Sequence, residues 1–484
     1  MKKTFYITTT LPYVNADLHV GHALEFVRAD AVARYKVMAG FDVFFNSGTD
    51  EHGMKIFEAA KKAGKSPQEF VDEAFARFLA QTKSFGMSED THFVRTTDAR
   101  HEKSAQKFWQ KVSDNGFIYK KNYKTKYCVD CEEEKTESEL TNGKCPIHPD
   151  RELEIVDEEN YFFAFSKFQK PLLEFYEKNP NFVVPNFRYN EVKSFVKNGL
   201  QDFSISRLAS KMPWGISVPG DGGHVMYVWF DALTNYISTL GWGTDDESDF
   251  KKYWLSGTAT QYCGKDNTRF QAIMWQAMLM AAGIQNTFQI VVNGHITAEG
   301  GVKMSKSLGN VVDPKKISAE FGVDALRYFL LREVSSFEDS PFSATRFKES
   351  YNANLANGLG NLVSRVMKMA EDNLDAPIVV SESENYSDDE DYFFRLLDVF
   401  EISKACDFIW LKISEMDKFI QENRPFKVVK AEKAAGQKMI YDLVVRLYSV
   451  ARMLNPILPE TSEKIKVLVK ENKSPKQPLF LRKE

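Results

Sequence analysis

Apolar and polar positions switch between two periods along the first fifty residues. Residues 4–10 are a run of β-branched and aromatic side chains, which predicts a buried strand. Pro12 and Asn15 then make a loop. Over residues 18–37 the apolar positions recur at helical spacing, so a helix is expected with His22 in its first turn. Val43-Phe44-Phe45 predicts a second strand, followed by the loop Gly48-Thr49-Asp50-Glu51-His52-Gly53. Strand, helix and strand in this order predict a Rossmann-like, doubly wound parallel α/β sheet. Such sheets bind ligands at the carboxyl ends of their strands, where His19 and Asp50 both fall.

The character changes over residues 119–223, which hold a cysteine cluster, short aromatic runs such as Tyr161-Phe162-Phe163-Ala164-Phe165, and proline breaks. This segment is expected to be an insertion. The α/β pattern returns at Met226-Tyr227-Val228-Trp229-Phe230 and at Phe288-Gln289-Ile290-Val291-Val292. Beyond residue 342 no strand is expected for a hundred residues; 352–371, 392–423 and 431–454 carry helical periodicity. An all-α bundle follows from that pattern. The acidic stretch 381–391 reads as a solvated loop. The expected organisation is 1–118 for the first half of the Rossmann domain, 119–223 for the insertion and 224–299 for the second half. A loop and stem-contact region follows over 300–342, then a helical domain over 343–484.

Composition adds limits. At 484 residues the chain has room for about three domains. A net charge of -4 argues against a globally basic nucleic-acid binder but leaves room for a local basic face. No apolar run approaches the roughly 18 residues of a membrane span. Met1-Lys2-Lys3 leads into a segment too polar, and too soon broken by Pro12, for a signal peptide, and no transit peptide is recognisable. A cytoplasmic protein without membrane contact is expected.

Of five cysteines, Cys263 and Cys406 stand alone. The others read Cys128-x2-Cys131, thirteen residues, then Cys145-x2-His148. Three thiolates and one imidazole complete a tetrahedral zinc shell. All four positions being protein ligands, one structural zinc per chain is expected. A redox CxxC would leave Cys145 and His148 unexplained.

Two short motifs carry the chemistry. His19-Val20-Gly21-His22 falls at the predicted helix N-terminus, where backbone N–H groups and the helix dipole attract phosphate. His19 and His22 would add side-chain donors, and Gly21 would let the backbone approach a nucleotide. Lys303-Met304-Ser305-Lys306-Ser307 follows the glycine turn Glu299-Gly300-Gly301. A loop hinged there could close over phosphates, with Lys303 or Lys306 pairing a departing pyrophosphate.

Together, in this order and at this separation, the motifs resemble the two signatures of class I aminoacyl-tRNA synthetases. Along nearly its whole length the chain further resembles the methionyl-tRNA synthetases, in their single-zinc form. The resemblance is carried by Thr10-Leu11-Pro12-Tyr13-Val14-Asn15, Gly48-Thr49-Asp50-Glu51-His52-Gly53 and Tyr227-Val228-Trp229-Phe230-Asp231-Ala232. It is carried also by Asp202-Phe203-Ser204-Ile205-Ser206-Arg207 with Pro213-Trp214-Gly215. It implies a ligase that takes L-methionine and ATP·Mg²⁺ and charges initiator and elongator methionine tRNAs.

It implies a methionine pocket of Leu11, Tyr13, Asp50, Trp229, Ala232 and Tyr236. The implied ATP site is His19, Gly21, His22, Gly264, Asp266 and Lys306, with His19, His22, Lys303 and Lys306 catalytic and Arg207 helping to hold the site. Asn361 and Arg365 on one helix, with Phe426, match the anticodon contacts; the family has tryptophan where Phe426 stands. Lys427, Lys430 and Lys433 are either a phosphate contact or a solvated helix face. The chain departs from the family pattern at Asn267, Gln271 and Asn293. The sequence stops soon after the helical bundle, which implies a monomer without the family's extra C-terminal dimerising domain. A cysteinyl-type synthetase would need an open zinc position, and a non-catalytic tRNA-binding relative would be expected to have damaged signatures.

Overall fold

The computed structural model describes residues 2–131, 133–135, 139–301, 312–378 and 387–484. Lys303 and Lys306 lie outside the described residues, as does the acidic stretch before Ser387.

Six parallel strands form the central sheet: β1 (Thr4–Thr8), β2 (Asp42–Thr49), β3 (His92–Arg95), β4 (Val183–Val184), β5 (Thr258–Gly264) and β6 (Gln289–Asn293). Their spatial order is β3-β2-β1-β5-β6-β4. From β1 the chain winds outward through β2 to β3, and from β5 it winds the other way through β6. The reversal therefore falls between β1 and β5, where a doubly wound sheet opens a crevice at its carboxyl edge. Phe5, Tyr6 and Ile7 are all buried, as expected of a central strand covered on both faces.

Two antiparallel sheets are laid beside this one. One runs Glu133–Lys135, Ile118–Cys128, Glu154–Phe163, Phe203–Ser204; the other runs Ser217–Val218, Asp221–Met226, Ser206–Leu208. The sequence reading of Met226–Phe230 as a parallel strand is corrected here. Asp221–Met226 pairs antiparallel, and the chain then coils into a short helix, Val228–Ala232. A short apolar run buried on all sides carries no period, so strand and helix read alike. The true second-half strand beside β1 is β5, which the pattern hid. Its Thr260 and Gln261 are polar yet buried, and Gln261 accepts a hydrogen bond from Thr287 Oγ1 at 2.6 Å.

Beyond residue 342 the described chain is helical apart from connecting segments and an irregular tail over 472–484. One rod is helical from Ala344 to Asn373, and Asp388–Asp398, Ile402–Asn423, Lys433–Leu454 and Pro459–Glu471 pack around it. Residues 388–391 are the first turn of a helix, which corrects their reading as loop. Ser387 and Glu390 form a reciprocal capping box, and four acidic residues sit at the positive end of the helix dipole. Glu390 is buried and pairs with Arg452 at 3.0 Å. No helix among the described residues is long and apolar enough to cross a membrane.

The helix after β1, α1 (Val20–Met38), is buried along most of its length despite carrying Glu25, Arg28 and Asp30. Arg28 donates to the carbonyls of Val334, Ser335 and Ser336. Asp30 pairs with the fully buried Arg327 at 2.8 Å, and Arg327 also donates to the carbonyls of Gly86, Pro456 and Ile457. These buried charges fasten the sheet's first helix to the helical region. Asp30 keeps Arg34 at 2.7 Å when Arg327 is removed, but the buried carbonyls of Pro456 and Ile457 lose their donor, so breaking this network costs about 3–5 kcal/mol. Arg327→Met should lose about that much in urea unfolding, and a loss below about 1 kcal/mol would contradict this role.

Candidate active site

At the crevice between β1 and β5 lies a cleft of about 630 Å³. His19 is the N-cap of α1. Its Nδ1 accepts from Gly21 N at 3.0 Å, while His22 Nδ1 accepts from His19 N at 3.2 Å. The two imidazoles close a capping box and stack, with centroids 3.9 Å apart. A neutral imidazole that accepts at Nδ1 carries its proton at Nε2, so both rings offer an N–H donor. Gly21 has a local reason to be glycine: a Cβ would come within 2.9 Å of His19 Cε1.

Leu11, Tyr13, Asp50 and Trp229 line the same cleft as His19, Gly21, His22, Gly264 and Asp266. Asp50 is fixed by its backbone: its N–H donates to Pro12 O at 3.0 Å, in a parallel bridge with Tyr13. Trp229 stacks flat on Phe270, with centroids 3.8 Å apart. Its buried Nε1 has no hydrogen-bond partner among the described residues. Ala232 and Tyr236 are buried and do not line the cleft; the carbonyl of Tyr236 accepts from the Tyr6 hydroxyl.

The unusual residues are accommodated. Gln271 donates to Thr10 Oγ1 at 2.9 Å, Asn293 donates to Gly294 O at 3.0 Å, and Asn267 and Asn293 line the cleft. Arg207 stands apart from it. Arg207 donates to Ser204 Oγ and Ser206 O, and its guanidinium lies over the rings of Tyr127 and Tyr227.

Sequence reasoning passed over Glu25. One of its oxygens accepts from Thr10 N at 2.6 Å and the other from Gly264 N at 2.9 Å, so it clamps the ends of β1 and β5 at the crevice. The signal was present: a carboxylate among Ala23, Leu24, Phe26 and Val27 on the helix that carries the histidine motif. Burial pushes its carboxyl up to about 8, against the pull of the amide donors, with Asp266 nearby adding to the rise. A carboxyl raised on folding keeps its proton longer than the unfolded chain does. Its contribution is full below the unfolded value of 4.5 and is lost as pH rises toward 8. Urea stability should therefore fall from about pH 5 to about pH 8, and Glu25→Gln should flatten that slope. Parallel profiles for the two chains would contradict it.

The cysteine cluster is assembled. Cys131 Sγ is 3.5 Å from Cys145 Sγ and 3.3 Å from His148 Nδ1, and Cys128 Sγ is 3.7 Å from His148 Nδ1. All four ligand atoms lie within 4.8 Å of one another. A tetrahedral zinc with bonds of about 2.0–2.3 Å requires ligand separations of roughly 3.5–3.8 Å. The donor set fits such an ion, and the three separations of 3.3, 3.5 and 3.7 Å are close to that spacing.

Among the residues matched to the anticodon, Asn361 is exposed and Arg365 pairs with Asp417 at 2.8 Å. Phe426 follows the left-handed Arg424 and is 42 % exposed.

A family model described as tRNA synthetases class I (M) matches residues 5–154 and 134–367. The methionine–tRNA ligase of Caldanaerobacter subterraneus subsp. tengcongensis is 42 % identical over 476 residues, 96 % of this chain and 74 % of that one. The Thermotoga maritima methionine–tRNA ligase is 38 % identical over 474 residues, 95 % of this chain and 74 % of its own. A solved structure of Mycobacterium tuberculosis methionyl-tRNA synthetase in complex with methionyl-adenylate superposes with a TM-score of 0.89 at 36 % identity. It covers 97 % of this chain and 94 % of that one. With the family model spanning most of the sequence and the relatives spanning nearly all of it, the chain belongs to the class I methionine–tRNA ligases.

Proposed function

We propose that the cleft between β1 and β5 activates methionine with ATP and passes the methionyl group to tRNA, with the residues in the following roles. The observation that carries the reading is the histidine-capped N-terminus of α1 facing Asp50 and Trp229 within one cleft. The methionine ammonium pairs with Asp50. The thioether lies against the aromatic wall of Tyr13 and Trp229, with Ala232 and Tyr236 behind it. ATP, taken as its Mg²⁺ complex, lies along Gly264 and Asp266 with its phosphates at the start of α1.

A methionine carboxylate oxygen attacks the α-phosphorus. The bond from that phosphorus to the bridging oxygen breaks, and pyrophosphate leaves. Charge grows on the α-phosphate oxygens in the transition state. The Nε2–H groups of His19 and His22 and the helix dipole are aimed at it, which lowers the barrier selectively. Lys303 and Lys306 pair with the leaving pyrophosphate. A hydroxyl of the tRNA's terminal adenosine then attacks the acyl carbon, and AMP departs. No side chain of this chain forms a covalent intermediate; positioning and charge stabilisation suffice.

Cys128, Cys131, Cys145 and His148 hold one zinc, which supplies folding energy to the insertion. Arg207, lying over the rings of Tyr127 and Tyr227, ties that insertion to the start of the helix bearing Trp229. Asn361, Arg365 and Phe426 read the anticodon, the aromatic ring stacking on an unpaired base. The segments 1–118, 119–223, 224–299, 300–342 and 343–484 serve as two Rossmann halves, insertion, signature loop with stem contact, and anticodon domain. Free thiols suit a reducing, cytoplasmic compartment, and we take the chain to act as a monomer. Charging of methionine tRNA transcripts tests the reading. Wild-type chain should methionylate initiator and elongator transcripts, and changing their anticodon should lower kcat/KM at least about 100-fold. Equal charging of altered transcripts would overturn the anticodon assignment.

A further inference from the structure

Three stretches that serve the amino-acid end of the cleft meet behind it on one carboxylate. Asp231, 1 % exposed, stands in the helix Val228–Ala232, two residues past Trp229 and one before Ala232. Its Oδ2 is 2.7 Å from His52 Nδ1, and its Oδ1 is 2.8 Å from His101 Nε2. His52 stands two residues past Asp50. His101, on the helix Ala99–Asp114, reaches from Nδ1 to Ser238 Oγ at 2.8 Å, and Ser238 stands two residues past Tyr236. None of these four side chains lines the cleft.

The arrangement is costly unless it is fully paired, because a buried carboxylate loses its hydration. Here both oxygens are taken, each by a different imidazole from a different element, which fixes the carboxylate's orientation. Burial would raise the Asp231 carboxyl, yet the charges and hydrogen bonds of His52 and His101 hold it below its usual range. Burial would likewise lower His52, and Asp231, with Glu102 and Glu51 nearby, holds it above its usual value. The 2.7 Å His52–Asp231 contact is thus favoured from both sides, each group holding the other toward its charged form. The loop of His52 is secured again on its far side: Trp214 Nε1 donates to Glu51 O at 2.6 Å, and Arg95 pairs with Glu51 at 2.9 Å. The nucleotide end has its own anchor, Glu25, whose hydrogen bonds go to Thr10 N and Gly264 N.

We propose that Asp231 is the positioning residue of the amino-acid pocket, setting the distance between Asp50 and the Trp229 wall through His52 and His101 without acting on the nucleotide end. This rests on the reading of Asp50 and Trp229 as the methionine site. A shift of that wall by a fraction of an ångström loosens the grip on the ammonium and thioether together, while the phosphates stay where α1 holds them.

The test is steady-state ATP–pyrophosphate exchange by the full chain carrying Asp231→Asn, His52→Gln or His101→Gln, with methionine and ATP titrated separately. Asp231→Asn and His52→Gln should each raise KM for methionine about 10- to 100-fold and leave KM for ATP within about twofold. His101→Gln should move the methionine KM in the same direction by less. A loss of kcat with both KM values unchanged, an equal rise in both, or no change overturns the proposal. Should Asp231→Asn fail to fold, the two histidine variants decide on the same terms. Wild-type exchange with unmoved variants overturns this inference alone. Absence of methionine-dependent exchange in the wild type overturns the underlying reading with it.

Discussion

Asp50→Asn should cut kcat/KM for methionine by about 10²–10⁴ while leaving ATP affinity within a few-fold. Asp50 is 3 % exposed and its position is set by the backbone bridge to Tyr13, so it does not relax when its charge is removed. Asparagine keeps the shape and loses only the charge. The methionine ammonium then enters a half-enclosed cleft without a counter-ion, and stranding one partner of a desolvated pair costs about 3–5 kcal/mol. The loss should exceed that of Asp231→Asn, because Asp50 meets the ammonium and Asp231 only holds the frame. Separate titrations of methionine and ATP in the exchange assay check it. A change below about tenfold in the methionine term would remove Asp50 from the ammonium site.

Removing the metal should have the second large effect. The segment from Cys128 to His148 has little apolar material of its own. Cys128, Val129 and Cys145 are buried, whereas Ile147 is 60 % exposed and Thr141 to Lys144 form an exposed turn. Sites of this kind draw about 10–16 kcal/mol from structural zinc, so metal binding and local folding are one process. Purified chain should carry about one zinc, lost on Cys145→Ser. Hydrogen exchange across 128–148 should then rise to that of open chain while the parallel sheet stays protected. Because Arg207 lies over the rings of both Tyr127 and Tyr227, activity should fall as well. Zinc content unchanged by Cys145→Ser would sink the assignment.

What could be read in the sequence divides along physical lines. α1 and the C-terminal helices announced themselves because each keeps one period over enough residues, and the first strand through its run of β-branched and aromatic side chains ended by Pro12. The residues at 226–230 did not, since a short run buried on all sides has no polar face to set its phase. β5 was hidden by Thr260 and Gln261, polar residues that are nonetheless buried, Gln261 with Thr287 as its donor. Motif chemistry was legible where spacing alone implies geometry, as in Cys-x2-Cys with Cys-x2-His. Most of the cleft lining was implied by the family resemblance, with Ala232 and Tyr236 falling behind it, but what holds the cleft was not. Glu25, and Asp231 with His52 and His101, act through contacts up to 239 residues apart in sequence, and no local pattern encodes such distances. Lys303 and Lys306 rest on the signature alone.

The most direct test of the central claim is amino-acid-dependent ATP–pyrophosphate exchange without tRNA, run over all twenty amino acids, with Lys306→Ala as control. Exchange with methionine alone, abolished in the control, is the predicted result. Exchange with a different amino acid would contradict the pocket assignment, and exchange with none would contradict the adenylation reading itself.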